Sequence, residues 1–133
     1  MAIIEVVCGI IFKSNKILLC RRKPNKFLGG YWEFPGGKVE IGEQEEDSLR
    51  RELQEELGMK VTVDRHFKTI THHYDAFTIR LISYICTFEE ATYRLTDHDQ
   101  YEWVNQRSLN TWNLAPADIP IANELVASSN VTP

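Results

Sequence analysis

Residues 37–59 read GKVEIGEQEEDSLRRELQEELGM, and this stretch governs how the rest of the chain is interpreted. Its second half predicts a helix from about Glu45 to Leu57, because acidic residues crowd the first turns, where the helix macrodipole favours negative charge. The apolar stripe of this helix, at i, i+4 and i+8, is formed by Leu49, Leu53 and Leu57. Gly58 follows at the position where a glycine commonly ends a helix.

Three glutamates share another face of the same predicted helix. Glu52, Glu55 and Glu56 are spaced i, i+3 and i+4, and their face lies about a quarter turn from the leucine stripe. Like charges at this spacing repel one another. A hard divalent cation such as Mg²⁺ would neutralise them, since it prefers carboxylate oxygens and often shares its coordination sphere with substrate phosphates. From these three residues alone, a solvated acidic helix face remains the alternative.

The residues around this glutamate face favour the metal interpretation. Gly36 and Gly37 allow the backbone to approach a ligand closely just before the helix, and a carbonyl group there can complete a metal coordination sphere. Glu43 is a further acid ahead of the helix. Arg51 carries a fixed charge that can pair with an acid and hold the loop in place.

Taken together, these residues resemble the Nudix box: Gly, five residues, Glu, seven residues, Arg-Glu, an aliphatic residue, any residue, Glu-Glu, any residue, Gly and an aliphatic residue. The matching positions are Gly37, Glu43, Arg51, Glu52, Leu53, Glu55, Glu56, Gly58 and Met59, with no departure. The flanking segments 32–38 and 114–123 resemble MutT-like and CTP-pyrophosphohydrolase-like members. The resemblance implies an α+β fold, the Nudix α/β/α sandwich with a mixed β-sheet between helices, as a single domain over residues 1–133.

The same resemblance implies a reaction and a metal. The expected reaction is hydrolysis of a nucleoside triphosphate to the monophosphate and pyrophosphate with Mg²⁺, for which Mn²⁺ is a candidate substitute. The implied metal ligands are the carbonyl of Gly37 and the carboxylates of Glu52, Glu55, Glu56 and Asp97. These four carboxylates are also the implied catalytic residues, and the choice of general base stays open among Glu55, Glu56 and Asp97.

Asp97 is the one implied ligand outside the Nudix box. It stands six residues before Trp103, where MutT-like relatives carry a glutamate. Because aspartate is one methylene shorter, its reach is open. His98, Asp99 and Glu102 are the alternatives within this run, as is a solvated polar loop.

Two basic residues and one acid have supporting roles by the resemblance. Glu43 and Arg51 are expected to orient the loop and the helix rather than to bind metal. Arg22 is expected to contact the phosphates, with Arg21 as the alternative.

The expected nucleotide pocket draws on three further residues. Glu33 and Phe34 are expected to line it, although an aromatic residue at position 34 fits the core equally well. Asn123 is aligned with an asparagine that reads the base edge in MutT. Its amide offers both a donor and an acceptor to a base.

Several substrates remain open at this point. An oxidised or modified nucleotide such as 8-oxo-dGTP is the main expectation, and CTP, dCTP or a modified pyrimidine nucleotide is the alternative. An RNA 5′ end or a dinucleoside polyphosphate is less favoured. A non-catalytic Nudix-fold binding module is disfavoured because every glutamate of the box is present.

Composition narrows the class of protein. The chain has 133 residues, of which 43% are apolar and 26% charged, as in an ordinary globular domain. Its net charge of -4 argues against duplex nucleic acid as a partner, and no apolar run is long enough to span a membrane. The three cysteines have no C-x-x-C spacing, which predicts buried, reduced thiols. We expect a cytoplasmic monomer or homodimer with a small nucleotide substrate.

The rest of the chain mixes strand and helix patterns without regular β-α-β alternation, which predicts a mixed sheet packed against helices. Strands are predicted at 3–12, 16–21, 31–34, 60–63, 67–72, 78–88 and 101–104. Pro35-Gly36-Gly37 is expected to break the third of these. Residues 108–112 predict a helical turn, and 119–127 predict a terminal helix with Asp118 as a candidate cap.

Overall fold

The computed structural model describes residues 2–128 and 130–133. The strands are β1 (Ile3–Lys13), β2 (Lys16–Arg22), β3 (Trp32–Glu33), β4 (Gly36–Lys38), β5 (Met59–His73), β6 (Thr78–Ala91) and β7 (His98–Asn105). The helices are α1 (Glu45–Leu57) and α2 (Ile119–Ala127), with 3₁₀ turns at Gln106–Thr111 and Pro116–Asp118. Within the described residues, no helix is long and apolar enough to cross a membrane.

Strand β1 is the centre of a mixed sheet. On one side it runs parallel to β6, from Ile3 opposite Thr78 onward. On its other side it pairs antiparallel with β2 only next to the tight turn, and with β4 further along. Strand β2 therefore diverges from β1 and pairs instead with β3 and β7. The expected mixed sheet is confirmed.

Helices cover both faces of the sheet. One buried cluster joins the three leucines of α1 to alternate residues of β1, such as Val7 and Ile11. A second cluster joins α2 to the intervening β1 residues, such as Ile10. Because side chains alternate along a strand, β1 supplies both layers. Full burial of each leucine contributes about 1.5–3 kcal/mol, which fixes α1 on the sheet. The expected α/β/α sandwich is thus present.

Helix α1 has the predicted bounds and the predicted end. Its leucines are fully buried. Gly58 adopts the left-handed conformation with φ of 56°, and its N–H donates to the carbonyl of Gln54. The three cysteines are free and buried, as expected.

Strand β5 differs from the prediction because residues 60–63 and 67–72 form one continuous strand. The ladder with β6 shifts register between Val63 and Arg65 and between His66 and Lys68. These bulges place Asp64 and Phe67 as extra residues, so pairing continues through a polar stretch that breaks the apolar pattern.

The predicted break at Pro35-Gly36-Gly37 was only partly correct. Gly36 and Gly37 continue with Lys38 as β4, paired with β1. A Cβ atom at Gly36 would collide with the carbonyl oxygen of Val7. Glycine is therefore required at position 36 for the close approach of β4 to β1.

Asp118 occupies the N-cap position of α2, as predicted, but its side chain makes no capping hydrogen bond. Instead Oδ2 accepts a hydrogen bond from the backbone N–H of Phe34 at 2.9 Å. The buried Asp118 side chain therefore bonds to the backbone of Phe34, far away in sequence, rather than to the first turn of α2.

Candidate active site

Helix α1 presents its glutamates toward the β4 glycines. Glu56 is buried, with 7% of its surface exposed. The Glu52 carboxylate lies directly against Gly37, where a Cβ atom would collide with it. The glycine therefore leaves the space that this carboxylate occupies. The i, i+4 spacing thus brings two acids together beside the backbone of Gly37, as predicted for this face.

The environment disfavours the ionised form of Glu56. Burial is the largest cause that raises the pKa of Glu56, to about 10, followed by its hydrogen bond with Glu52 and the negative charge of Asp97. In the absence of a cation, these surroundings favour the protonated form of Glu56. A divalent cation would stabilise the ionised form of the same oxygens.

Glu55 is held apart from this pair by Arg51. Its Oε2 lies 3.1 Å from Nη1 of Arg51, and its side chain is 59% exposed. Within residues 2–128 and 130–133, no group of three or more His, Cys, Asp or Glu side chains is arranged to hold a metal ion. The available donors are two carboxylates beside the backbone of Gly37. Such an all-oxygen set fits Mg²⁺, which commonly binds one or two carboxylates and keeps several waters.

Arg51 connects the loop before α1 to the helix. Its Nε and Nη2 donate to the two carboxylate oxygens of Glu43, each at 2.9 Å, and its Nη1 donates to Glu52 at 2.8 Å. Nη2 also donates to the carbonyl of Lys38 at 3.2 Å. The Ser48 hydroxyl completes the arrangement by donating to Glu43 at 2.6 Å. Arg51, ahead of Ser48, lowers the pKa of Glu43 to about 2. Glu43 and Arg51 thus lie where residues that orient the loop would lie.

A cavity of about 650 Å³ opens in front of the Glu52–Glu56 pair. Its lining includes most of the residues expected at the site, namely Arg22, Glu33, Phe34, Gly37, Glu52, Glu56 and Asp97. Three aromatic residues, Phe27, Tyr74 and Phe77, also line it and contact one another. One cavity is therefore lined by both acidic and aromatic side chains.

The basic residues of β2 separate into two environments. Arg22 lines the cavity, where its Nη1 donates to Glu33 at 3.1 Å and its Nε to the carbonyl of Phe27 at 2.7 Å. Arg21 instead forms two hydrogen bonds with Asp99, at 2.8 and 2.9 Å. Neither Arg21 nor Asp99 lines the cavity.

Asp97 and its alternatives are also separated by the structure. Asp97 lines the cavity and forms an ion pair with Lys26 at 3.2 Å. Glu102 is exposed on β7. His98 is fully buried, and its Nε2 is 2.8 Å from Oε2 of Glu33.

Phe34 both packs in the core and lines the cavity, the two alternatives that the sequence left open. It is 2% exposed and belongs to the core cluster beneath α2, and it also lines the cavity. Its backbone N–H is the group that holds Asp118.

Asn123 is not brought to the cavity. It is exposed on α2, whose buried face consists of Ile121, Ala122 and Leu125. Asp118, which sequence reasoning took only for a cap, lies in the cavity wall instead. Burial, and then the charge of Glu33, raises its pKa well above the usual range. The local sequence offered one signal, an acid between two prolines ahead of the helix.

The geometry agrees with comparisons to known proteins. A profile of the NUDIX domain matches residues 6–124. CTP pyrophosphohydrolase of Escherichia coli strain K12 is 35% identical over 127 residues, 96% of this chain and 94% of that protein. The 8-oxo-dGTP diphosphatase of Buchnera aphidicola subsp. Schizaphis graminum is 33% identical over 121 residues, 91% of this chain and 92% of that protein.

A solved structure shows the same likeness. The solution structure of the E. coli ORF135 protein has a TM-score of 0.83 and 34% identity, covering 98% of this chain and 93% of that chain. The chain therefore belongs to the Nudix hydrolase family. The family profile extends well beyond the Nudix box, from β1 to α2.

Proposed function

We propose that this chain is a Mg²⁺-dependent nucleoside triphosphate pyrophosphohydrolase, which converts a nucleoside triphosphate and water to the monophosphate and pyrophosphate. The observation that carries the proposal is that the Glu52–Glu56 pair lines the same cavity as three aromatic residues. The carboxylates can hold a cation for the triphosphate, and the aromatic rings can contact a base. Glu52, Glu56 and the carbonyl of Gly37 hold the cation in this proposal, with Glu55 and Asp97 as additional ligands.

The chain's own groups position the phosphates and the water. Bound at these oxygens, the cation offsets phosphate charge and activates a water for in-line attack. Arg22 supplies a fixed positive charge on the cavity wall for phosphate oxygens. One of Glu55, Glu56 and Asp97 accepts the proton of the attacking water, and Glu43 and Arg51 keep the loop and helix in place for it.

The base lies in the aromatic part of the cavity in this proposal. Phe34, Glu33 and Asp118 line the same wall, so an apolar ring and two carboxyl groups can contact one base. Carboxyl oxygens accept hydrogen bonds from base amino groups. This assigns the reading of the base edge to Glu33 and Asp118 rather than to Asn123.

The proposed substrate is an oxidised or modified nucleotide of the 8-oxo-dGTP kind. The relative from Buchnera aphidicola is named for that substrate. CTP or dCTP is the second candidate, because the E. coli CTP pyrophosphohydrolase is 35% identical over 96% of this chain. We place this activity on free nucleotides in the cytoplasm, where thiols remain reduced. A monomer or a homodimer stays a prediction.

A nucleotide panel tests the proposal. We would measure kcat/KM with Mg²⁺ for 8-oxo-dGTP, dGTP, CTP, dCTP and 5-methyl-dCTP, and identify the products. Pyrophosphate and a monophosphate are expected, and Glu52→Gln should lower kcat by roughly 10²- to 10⁴-fold. Glu89→Gln, an exposed glutamate on β6 outside the cavity, is the matched control. Absence of pyrophosphate from every nucleotide, with Mg²⁺ or Mn²⁺, would contradict the proposal.

A further inference from the structure

His98 lies between two carboxylates that line the cavity. Its Nε2 is 2.8 Å from Oε2 of Glu33, and its Nδ1 is 3.8 Å from Oε1 of Glu56. The ring itself is fully buried and does not line the cavity. His98 therefore lies beside Glu33 and Glu56 but does not reach the space that a substrate would occupy.

A bulge in β7 produces this placement. Arg21 pairs with Gln100 and Arg22 pairs with His98, so Asp99 is the extra residue between them. The bulge directs Asp99 to Arg21 and leaves His98 beside the cavity wall. Bulges that reorient a side chain in this way are common next to active sites.

The two ring nitrogens differ in how they are satisfied. Because a carboxylate oxygen of Glu33 can only accept, Nε2 carries the hydrogen and donates it. The same oxygen also accepts from Arg22 at 3.1 Å. Among the side-chain atoms of the described residues, Nδ1 of His98 is the buried nitrogen or oxygen that lacks a hydrogen-bond partner. Buried polar atoms rarely remain unpaired without a reason.

Oε1 of Glu56 is 3.8 Å from Nδ1, beyond hydrogen-bonding distance, so the ring lies next to this carboxyl group without bonding to it. Glu33, at the other nitrogen, holds the arginine proposed to contact the phosphates. The ring therefore lies between the carboxyl group that holds Arg22 and the carboxyl group proposed to bind the cation.

We infer that His98 is a positioning residue that links the nucleotide side of the site, at Glu33, to the metal side, at Glu56. The inference rests on the proposed function, because both carboxylates take their roles from it. Outer residues that orient metal-binding side chains commonly change metal affinity by about 10- to 100-fold when replaced. His98 would act on nucleotide binding and on metal binding through separate nitrogens.

Two substitutions of His98 distinguish the contribution of Nε2 from that of Nδ1. The amide of His98→Gln reaches the position of Nε2 and keeps the donor to Glu33, but it removes the polar ring atom beside Glu56. The shorter amide of His98→Asn reaches only the position of Nδ1, so it keeps a polar group near Glu56 and loses Glu33. His66→Gln, at an exposed histidine on β5, is the matched control.

Two binding constants are the readouts. Nucleotide affinity is measured without metal by calorimetry, and Mn²⁺ affinity without nucleotide by electron paramagnetic resonance. His98→Gln should weaken Mn²⁺ binding about tenfold and leave nucleotide binding within about twofold. His98→Asn should weaken nucleotide binding about tenfold and leave Mn²⁺ binding within about twofold. Equal effects of both variants on both constants, or no effect on either, would overturn the inference.

A second measurement leaves His98 in place. Glu33→Gln should weaken nucleotide binding in the wild-type background and weaken it less beside His98→Asn, where the bond between Glu33 and position 98 is already lost. An unchanged nucleotide affinity, or an equal loss in both backgrounds, would show that Glu33 does not act through His98. If wild-type protein released no pyrophosphate, the proposed function would fail. If wild-type protein were active and the variants matched it, only the link would fail.

Discussion

At the residue scale, the acids of the Nudix box have very different environments although their sequence spacing is regular. Arg51 lowers the pKa of Glu43 to about 2, whereas burial raises that of Glu56 to about 10. Glu55 stays largely exposed and is held by Arg51. The same functional group, a carboxylate, thus pairs with arginine at Glu43 and, in the proposed function, binds the cation at Glu56.

Glu56→Gln should stabilise the metal-free protein while removing activity. The ordinary pKa of Glu56 is 4.5, and its folded-state pKa is about 10. Folding therefore requires Glu56 to keep a proton, and wild-type stability should fall as pH rises between these two values. Glutamine cannot ionise, so at pH 8 the melting temperature should rise by on the order of 5 °C.

The measurement is thermal unfolding against pH, with and without Mg²⁺. Mg²⁺ should raise the melting temperature of the wild type and have little effect on Glu56→Gln. Glu89→Gln should follow the wild type. A wild-type melting temperature that does not fall between pH 5 and about 9 would contradict the buried, protonated state of Glu56.

At the element scale, α1 is held at both ends by contacts that its own sequence provides. Glu43, Ser48 and Arg51 connect the preceding loop to the helix. Gly58 ends it in a left-handed conformation next to Thr92. These contacts set the angle at which the glutamate face meets β4.

Arg51→Lys should lower kcat/KM by about tenfold or more while the protein remains folded. A lysine cannot reproduce the paired donation to Glu43 together with the bonds to Glu52 and the Lys38 carbonyl. Arg50→Lys, on the same helix but paired only with Asp47 at the surface, is the control and should remain near wild type. Steady-state kinetics with the best nucleotide of the panel would check this, and equal activities would remove Arg51 from a positioning role.

Gly58→Ala should destabilise the protein more than Gly42→Ala. Both glycines have positive φ, 56° and 85°, so alanine is strained at either by about 1–2 kcal/mol. A Cβ atom at Gly58 would also collide with the hydroxyl of Thr92, whereas nothing lies within 4 Å of one at Gly42. Chemical denaturation gives the two free energies of unfolding. A smaller loss at Gly58 than at Gly42 would contradict the packing at this helix end.

At the scale of the whole molecule, the site exists because β2 diverges from β1. Strand β1 supplies Cys8 to the cavity wall, β2 supplies Arg22, and the chain just before α2 supplies Asp118. Helix α1 brings the acids from the opposite layer. Both faces of the sandwich therefore contribute to one cavity.

Asp118→Asn should change base preference, because it replaces a carboxyl group in the cavity wall with an amide while retaining an acceptor for Phe34. The ratio of kcat/KM for 8-oxo-dGTP to that for dCTP should shift by about tenfold. Asn123→Ala should leave that ratio within about twofold, since Asn123 is exposed outside the cavity. A shift with Asn123→Ala and none with Asp118→Asn would return base reading to the residue that the sequence resemblance favoured.

The amino-acid sequence alone determined the family, the bounds of α1, its leucine stripe and the face shared by its glutamates. The features of α1 depend on residues a few positions apart on one helix, and helical periodicity is enough to relate them. Only the tertiary structure decided which distant groups meet. His98 and Glu33 are 65 residues apart, and Asp118 and Phe34 are 84 apart. Their contacts depend on a strand bulge and on the divergence of β2 from β1, and no local pattern in the sequence encodes either.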